Sequence, residues 1–136
     1  MAKNHNIQTV SLHMGAAAAS DTQTIGAVVA AGMTRYVTFI RANPLSPTYS
    51  EGSRLYLCSG TVAEAESDAE ATAAQKLVLR IASASTVGRK DVMLPSTPDT
   101  EHPLFTVAAG AYLRAHLASA GSMSGSVALF VQYFDE

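Results

Sequence analysis

Four histidines, one cysteine and an alternating run of carboxylates are the residues of this 136-residue chain best equipped for chemistry. His5, His13, His102 and His116 contain no close pair of the kind that grips a metal, and Cys58 lacks the partner of a Cys-x-x-Cys motif. Asp99, Glu101 and His102 could supply ligands if Asp91 folded back beside them, but calcium needs more oxygens at set spacing than this cluster offers. Pro95, Pro98 and Pro103 instead mark the same stretch as a solvated surface loop. Glu64, Glu66, Asp68 and Glu70 would share one side of an extended chain, and burial there would raise their proton affinity. No apolar frame surrounds them to fix a general acid or base, so they read as an acidic surface patch able to meet a basic partner.

Nucleophilic chemistry is no better supported. The serines form no G-x-S-x-G elbow, and nothing in the sequence brings Cys58 to His13 or His116 or activates its thiol. Its setting in SRLYLCSG favours a small buried side chain. Phosphate-binding glycine loops, the dinucleotide fingerprint and the HExxH helix are missing as well. The expectation is therefore a non-enzyme with no catalytic residue, cofactor or metal. Aromatics do alternate with arginine at Arg35-Tyr36, Phe39 to Arg41 and Arg54 to Tyr56, an arrangement able to stack on bases or sugars. Tyr36, Arg54 and Tyr56 form the candidate surface for a glycan or small ligand; the simpler role for such residues is packing, with arginine stems along the sheet rim.

The elements that would carry these residues read as strands. Val10, Leu12 and Met14 share one side of a two-residue period over 6–14, opposite Thr9, Ser11 and His13. Residues 15–23 read as a connection and 24–30 as a short strand. TRYVTFIRA is dense in β-branched and aromatic residues, with Val37 and Phe39 on one face and Tyr36 and Ile40 on the other. In SRLYLCSG, Leu55 and Leu57 oppose Tyr56 and Cys58; in KLVLRIASA, Leu77, Leu79 and Ile81 oppose Val78 and Arg80. GRKDVML, LFTVAAG and AYLRAHLAS continue the pattern. The closing GSVALFVQYFD sets Val127, Leu129, Val131 and Tyr133 on one face, against Phe130, Gln132 and Phe134 on the other.

About eight strands follow, with at most one short helix, because no repeated amphipathic helices are present to cover a parallel sheet. The expected fold is mainly β: an antiparallel two-sheet β-sandwich of jelly-roll or related Greek-key topology. It forms one domain over 1–136, with an N-terminal arm at 1–6 and surface insertions near 62–75 and 95–103. Thr61 and Glu64 resemble a capping box within the first insertion, but Glu66 and Glu70 repel across a helical turn. VVAAGMTRYV and TVAAGAYLRA echo each other and point to equivalent turns in two halves of the fold.

Composition narrows the partners. Charged residues make up only 15% of the chain against 48% apolar, which leaves neutral surface for interfaces. Nine Lys and Arg residues are scattered in runs no longer than two, and the net charge is -2, so no nucleic-acid footprint is indicated. The longest apolar window, 25–33, is far short of the roughly 20 residues of a membrane helix, and no secretory leader is evident. A soluble, cytoplasmic protein is expected on these grounds. Phe130, Gln132 and Phe134 are the candidate interface.

PLFTVAAGAYLRAHLAS followed by GSVALFVQYFDE resembles the closing strands of small β-sandwich or jelly-roll proteins that decorate the heads of tailed bacteriophages. The resemblance covers roughly the last 35 residues in detail and the rest in strand rhythm. It implies self-association, commonly as a trimer, attachment to a capsid protein shell, a place on the virion surface, and no catalytic residues.

Overall fold

The computed structural model describes residues 5–16, 21–44, 53–60, 74–81, 92–95, 101–117 and 125–136. They form nine strands: β1 (Gln8–Ala16), β2 (Asp21–Ile25), β3 (Arg35–Pro44), β4 (Ser53–Gly60), β5 (Gln75–Ile81), β6 (Val92–Leu94), β7 (Phe105–Val107), β8 (Tyr112–Leu117) and β9 (Gly125–Asp135). No helix occurs among the described residues. None, therefore, is long and apolar enough to cross a membrane.

Every strand pairing is antiparallel. The first sheet, A, runs β1-β9-β3-β6, with β7 also paired to β3; the second, B, runs β2-β8-β4-β5. β6 meets β3 at residues 40–42 and β7 meets it at 35–37, so the two behave as one interrupted strand along the edge of β3. Counted that way, eight strands lie in the order of a jelly roll, which is the expected fold. The interruption accounts for the ninth strand.

The core lies between the sheets and comes from the alternation. Met14, Val37, Ile40, Ala42, Val107, Val127, Leu129, Val131 and Tyr133 project from sheet A against Ile25, Leu55, Leu57, Leu79, Leu113, Ala115 and Leu117 from sheet B. Each of the larger aliphatic side chains contributes about 1.5–3 kcal/mol on burial. Together they hold two sheets that share no backbone hydrogen-bond ladder.

The regular period fails once in β3. Val37 stands opposite Tyr133 and Phe39 opposite Gln132, so Thr38 is an extra residue in a β-bulge, and its hydroxyl donates to the Gln132 carbonyl at 3.2 Å. The bulge reverses the faces beyond it. Val37 and Ile40 point into the core while Tyr36, Phe39 and Arg41 lie on the outer face, in place of the expected pairing of Val37 with Phe39 and Tyr36 with Ile40.

Boundaries shift around the first hairpin as well. Gly15 and Ala16 belong to β1 and Asp21 to Gln23 belong to β2, rather than to a connection; residues 17–20 lie outside the described set. The expected strand over 24–30 stops at Ile25, because Gly26 takes φ 73°. Val29 is nevertheless buried, its amide donating to the Ala111 carbonyl at 3.0 Å and its carbonyl accepting from Gly110 N–H at 2.8 Å. Those bonds join the two echoed segments. In each, an Ala-Ala-Gly turn closes on itself, Met33 to Ala30 at 3.1 Å and Ala111 to Ala108 at 3.2 Å, with Gly32 and Gly110 both at φ 79°. A positive φ at the third position is the signature of a type II turn and explains why glycine stands at the same place in both.

Of the two expected insertions, residues 62–73 and 96–100 lie outside the described set, while Gln75 already belongs to β5. Of the N-terminal arm, His5 and Asn6 are described.

Candidate functional site

The outer face of sheet A is a grid of side chains set by strand register. Three successive rows run Thr9, Gln132, Phe39; then Ser11, Phe130, Arg41, Met93; then His13, Ala128, Asn43. The middle row crosses all four strands of the main ladder. Phe39 and Phe130 meet edge to face, 6.0 Å between centroids and 75° between planes. Beside them the small Ala128 leaves a hollow of about 330 Å³, walled by Ser11, Phe39, Arg41, Asn43, Met93 and Phe130. Met93 is 45% exposed at its rim. Among the described residues the lining holds no carboxylate and no lysine, and Arg41 is its one cation. Such a mixture suits an apolar side chain or a planar ring better than a metal or a phosphate cluster.

The expected interface residues divide. Phe130 and Gln132 are half-buried on the open part of this face. Phe134, 3% exposed, is enclosed by its own chain: the His5 ring stacks on it at 3.8 Å and 14°, and Tyr36 at 5.0 Å and 16°. His5 thus covers the end of β9. The expected ligand surface is not brought together, because Tyr36 lies on sheet A whereas Arg54 and Tyr56 belong to β4 of sheet B. Arg54 is exposed and Tyr56 is buried.

The outer side of sheet B is enclosed over β8 and the middle of β4, while Arg54 and Val78 on that side are exposed. Tyr56, Cys58, Arg114 and His116 face away from the sandwich core, yet all are buried, with Ala74 packed on the first two. Register sets Tyr56 opposite His116 and Cys58 opposite Arg114, so Cys58 and His116 do share a face. His13 belongs to the other sheet. Thr22 Oγ1 is hydrogen-bonded to His116 Nδ1 at 2.7 Å, and the Tyr56 ring lies 6.2 Å from the imidazole. Cys58 and His116 are both 0% exposed, which leaves no atom of either for a substrate to reach and fits the thiol's reading as a core side chain. Gly60 belongs to the same layer, since a Cβ there would overlap the Arg114 guanidinium.

Arg35 has a structural assignment that its neighbour Tyr36 disguised. Its Nε and Nη2 donate to the two oxygens of Asp135, both at 2.8 Å, and Nη1 donates to the carbonyls of Ile25 at 3.2 Å and Ala27 at 2.8 Å. The guanidinium also lies 4.1 Å from the Tyr133 ring centroid. One buried side chain so ties β9 to the turn after β2 and to the start of β3. Its charge is committed within the fold.

Among the described residues no three His, Cys, Asp or Glu side chains gather as a metal site. Glu101 and His102 are exposed, and Asp91, Asp99 and the four alternating carboxylates lie outside the described set. No family model, curated protein or solved structure matches the chain.

Proposed function

We propose that this chain is a structural protein that self-associates and seats the outer face of sheet A on a larger protein shell, such as the capsid of a tailed phage. The observation that carries the reading is the row Ser11, Phe130, Arg41, Met93, a strip without carboxylates across the whole sheet on the outside of the sandwich. Aromatic residues, methionine and arginine are the types enriched at protein interfaces, and covering exposed apolar area returns about 25 cal/mol per Å². The resemblance of the closing strands to capsid decoration proteins supports the same assignment. Fold alone does not, since jelly rolls serve many functions.

Light scattering of the purified chain, with co-sedimentation against tailed-phage capsids, tests the reading. A mass at least twice 14.2 kDa is expected, together with capsid attachment weakened about tenfold or more by Met93→Asp and Phe130→Asp at unchanged circular dichroism. A monomer that stays in the supernatant with every capsid tried overturns it.

A second reading draws on the hollow itself. Its size is near the lower bound for ligand pockets, and Phe130 beside Arg41 and Asn43 offers a stacking surface with polar edges for a sugar ring. Saturable glycan binding abolished by Arg41→Ala would establish it.

A further inference from the structure

A β-sandwich exposes sheet edges, and each is a template for strand addition unless something blunts it. Three of the four edges here are blunted. β2 is five residues long and opens on Asp21; β6 and β7 are three residues each, flanked by Pro95 and Pro103; β5 carries the exposed Lys76 and meets β4 across an irregularity at Leu57 and Cys58. β1 has none of these features. It runs nine residues, QTVSLHMGA, with no proline, lysine, arginine or carboxylate.

Two further observations single out this edge. Among the described residues β1 has one strand partner, β9, and the Gln23 Nε2 bond to the His13 carbonyl at 2.9 Å is the cover on its other side. Val10 and Leu12, which face the core, are only half-buried, whereas Met14 on the same face is fully buried. The apolar interior therefore opens to water along the middle of β1.

We infer that the occupant of this edge is β1 of a second copy of the chain, paired antiparallel about a two-fold axis through Leu12. The sequence is self-complementary in that register: Leu12 meets its own copy, Val10 meets Met14, Ser11 meets His13 and Thr9 meets Gly15. Over residues 9–15 all apolar contacts fall on the core side and all polar ones on the outer side; at the strand ends the exposed Gln8 meets Ala16, and no pair of like charges is opposed. Such an isologous seam satisfies both copies at once. It joins two five-stranded sheets into one, with both Phe130 rows on the same side. The inference rests on the self-association proposed above and deepens it by naming the seam, which is two-fold rather than the three-fold that the resemblance implies.

Charge placed across the seam tests both the edge and the register, using Ser11 and His13 because both are exposed. In the double variant Ser11→Asp, His13→Asp the new carboxylates oppose each other at both symmetry-related contacts; in Ser11→Asp, His13→Lys opposite charges meet there. Analytical ultracentrifugation of the full chain should give a dimer dissociation constant raised about tenfold or more in the first, and within about threefold of wild type in the second. The seam is overturned if the first variant dimerises like wild type, or if the second is as weak as the first. An oligomer indifferent to both but broken by Met93→Asp removes the seam and leaves the proposed function standing. A wild-type monomer that still binds capsids removes the seam together with the self-association and leaves the capsid attachment standing, and one that binds none removes the whole proposal.

Discussion

Gly26 and Gly32 share a left-handed backbone, φ 73° and 79°, but differ in what surrounds them, and that contrast isolates the tie between β9 and the turn after β2. An alanine at either position takes on the left-handed penalty, roughly 1–2 kcal/mol. At Gly32 that is the whole cost, since no atom lies within 4 Å of where its Cβ would stand. At Gly26 the new Cβ would overlap Tyr133 Oη, approach Cζ to 3.1 Å and come within 3.3 Å of Arg35 Nη1. Tyr133 is 5% exposed and packed in the core, so it clears the methyl group only by abandoning its stack on the Arg35 guanidinium. A desolvated cation–π contact contributes about 2 kcal/mol. The expected destabilisation is therefore about 3–4 kcal/mol for Gly26→Ala against about 1–2 for Gly32→Ala. Urea unfolding monitored by circular dichroism reads the difference: with a slope of about 1–3 kcal/mol per M, the two midpoints should separate by about 1 M. Equal midpoints would show that Tyr133 and Arg35 adjust without loss and would refute the reasoning.

Arg35→Lys keeps the charge but loses the fork that reaches both Asp135 oxygens and the Ala27 carbonyl, so urea unfolding should show a loss of about 2–3 kcal/mol; a midpoint like that of wild type would contradict the structural assignment of Arg35. Cys58, at 0% exposure, should react with a thiol reagent such as dithionitrobenzoate only after denaturant is added, and prompt stoichiometric labelling of the native chain would place it outside the enclosed layer.

Where a strand keeps its period, the sequence discloses both its face and its register. Val127, Leu129, Val131 and Tyr133 are all buried on the core side of β9, and Leu55 and Leu57 oppose Tyr56 and Cys58 as the alternation requires. The paired Ala-Ala-Gly turns are legible for the same reason, because a glycine at positive φ leaves a visible mark. Thr38 is different. A bulge adds one residue without any local signal, and only the partner strand reveals that Phe39 joined the outer face while Ile40 turned inward. Long-range partnership is equally silent in a single sequence. Arg35 and Asp135 lie 100 residues apart, so the aromatic neighbour Tyr36 was the visible clue and it pointed to stacking on a ligand. Phe134 follows the same logic, since His5 reaches it from the opposite end of the chain. At the candidate site the alternation discloses that Phe130 and Gln132 lie on the outer side of β9, whereas the hollow beside Ala128 required the cross-strand rows to be known.

The proposed function and the β1 seam both require that the molecule assemble through sheet A and not through sheet B. Hydrogen–deuterium exchange of the full chain at low and high protein concentration tests it most directly. Protection that rises with concentration in peptides from β1, with β2 and β5 of sheet B unchanged, is the predicted result. Exchange in β1 that is independent of concentration, or new protection confined to β5, would contradict it.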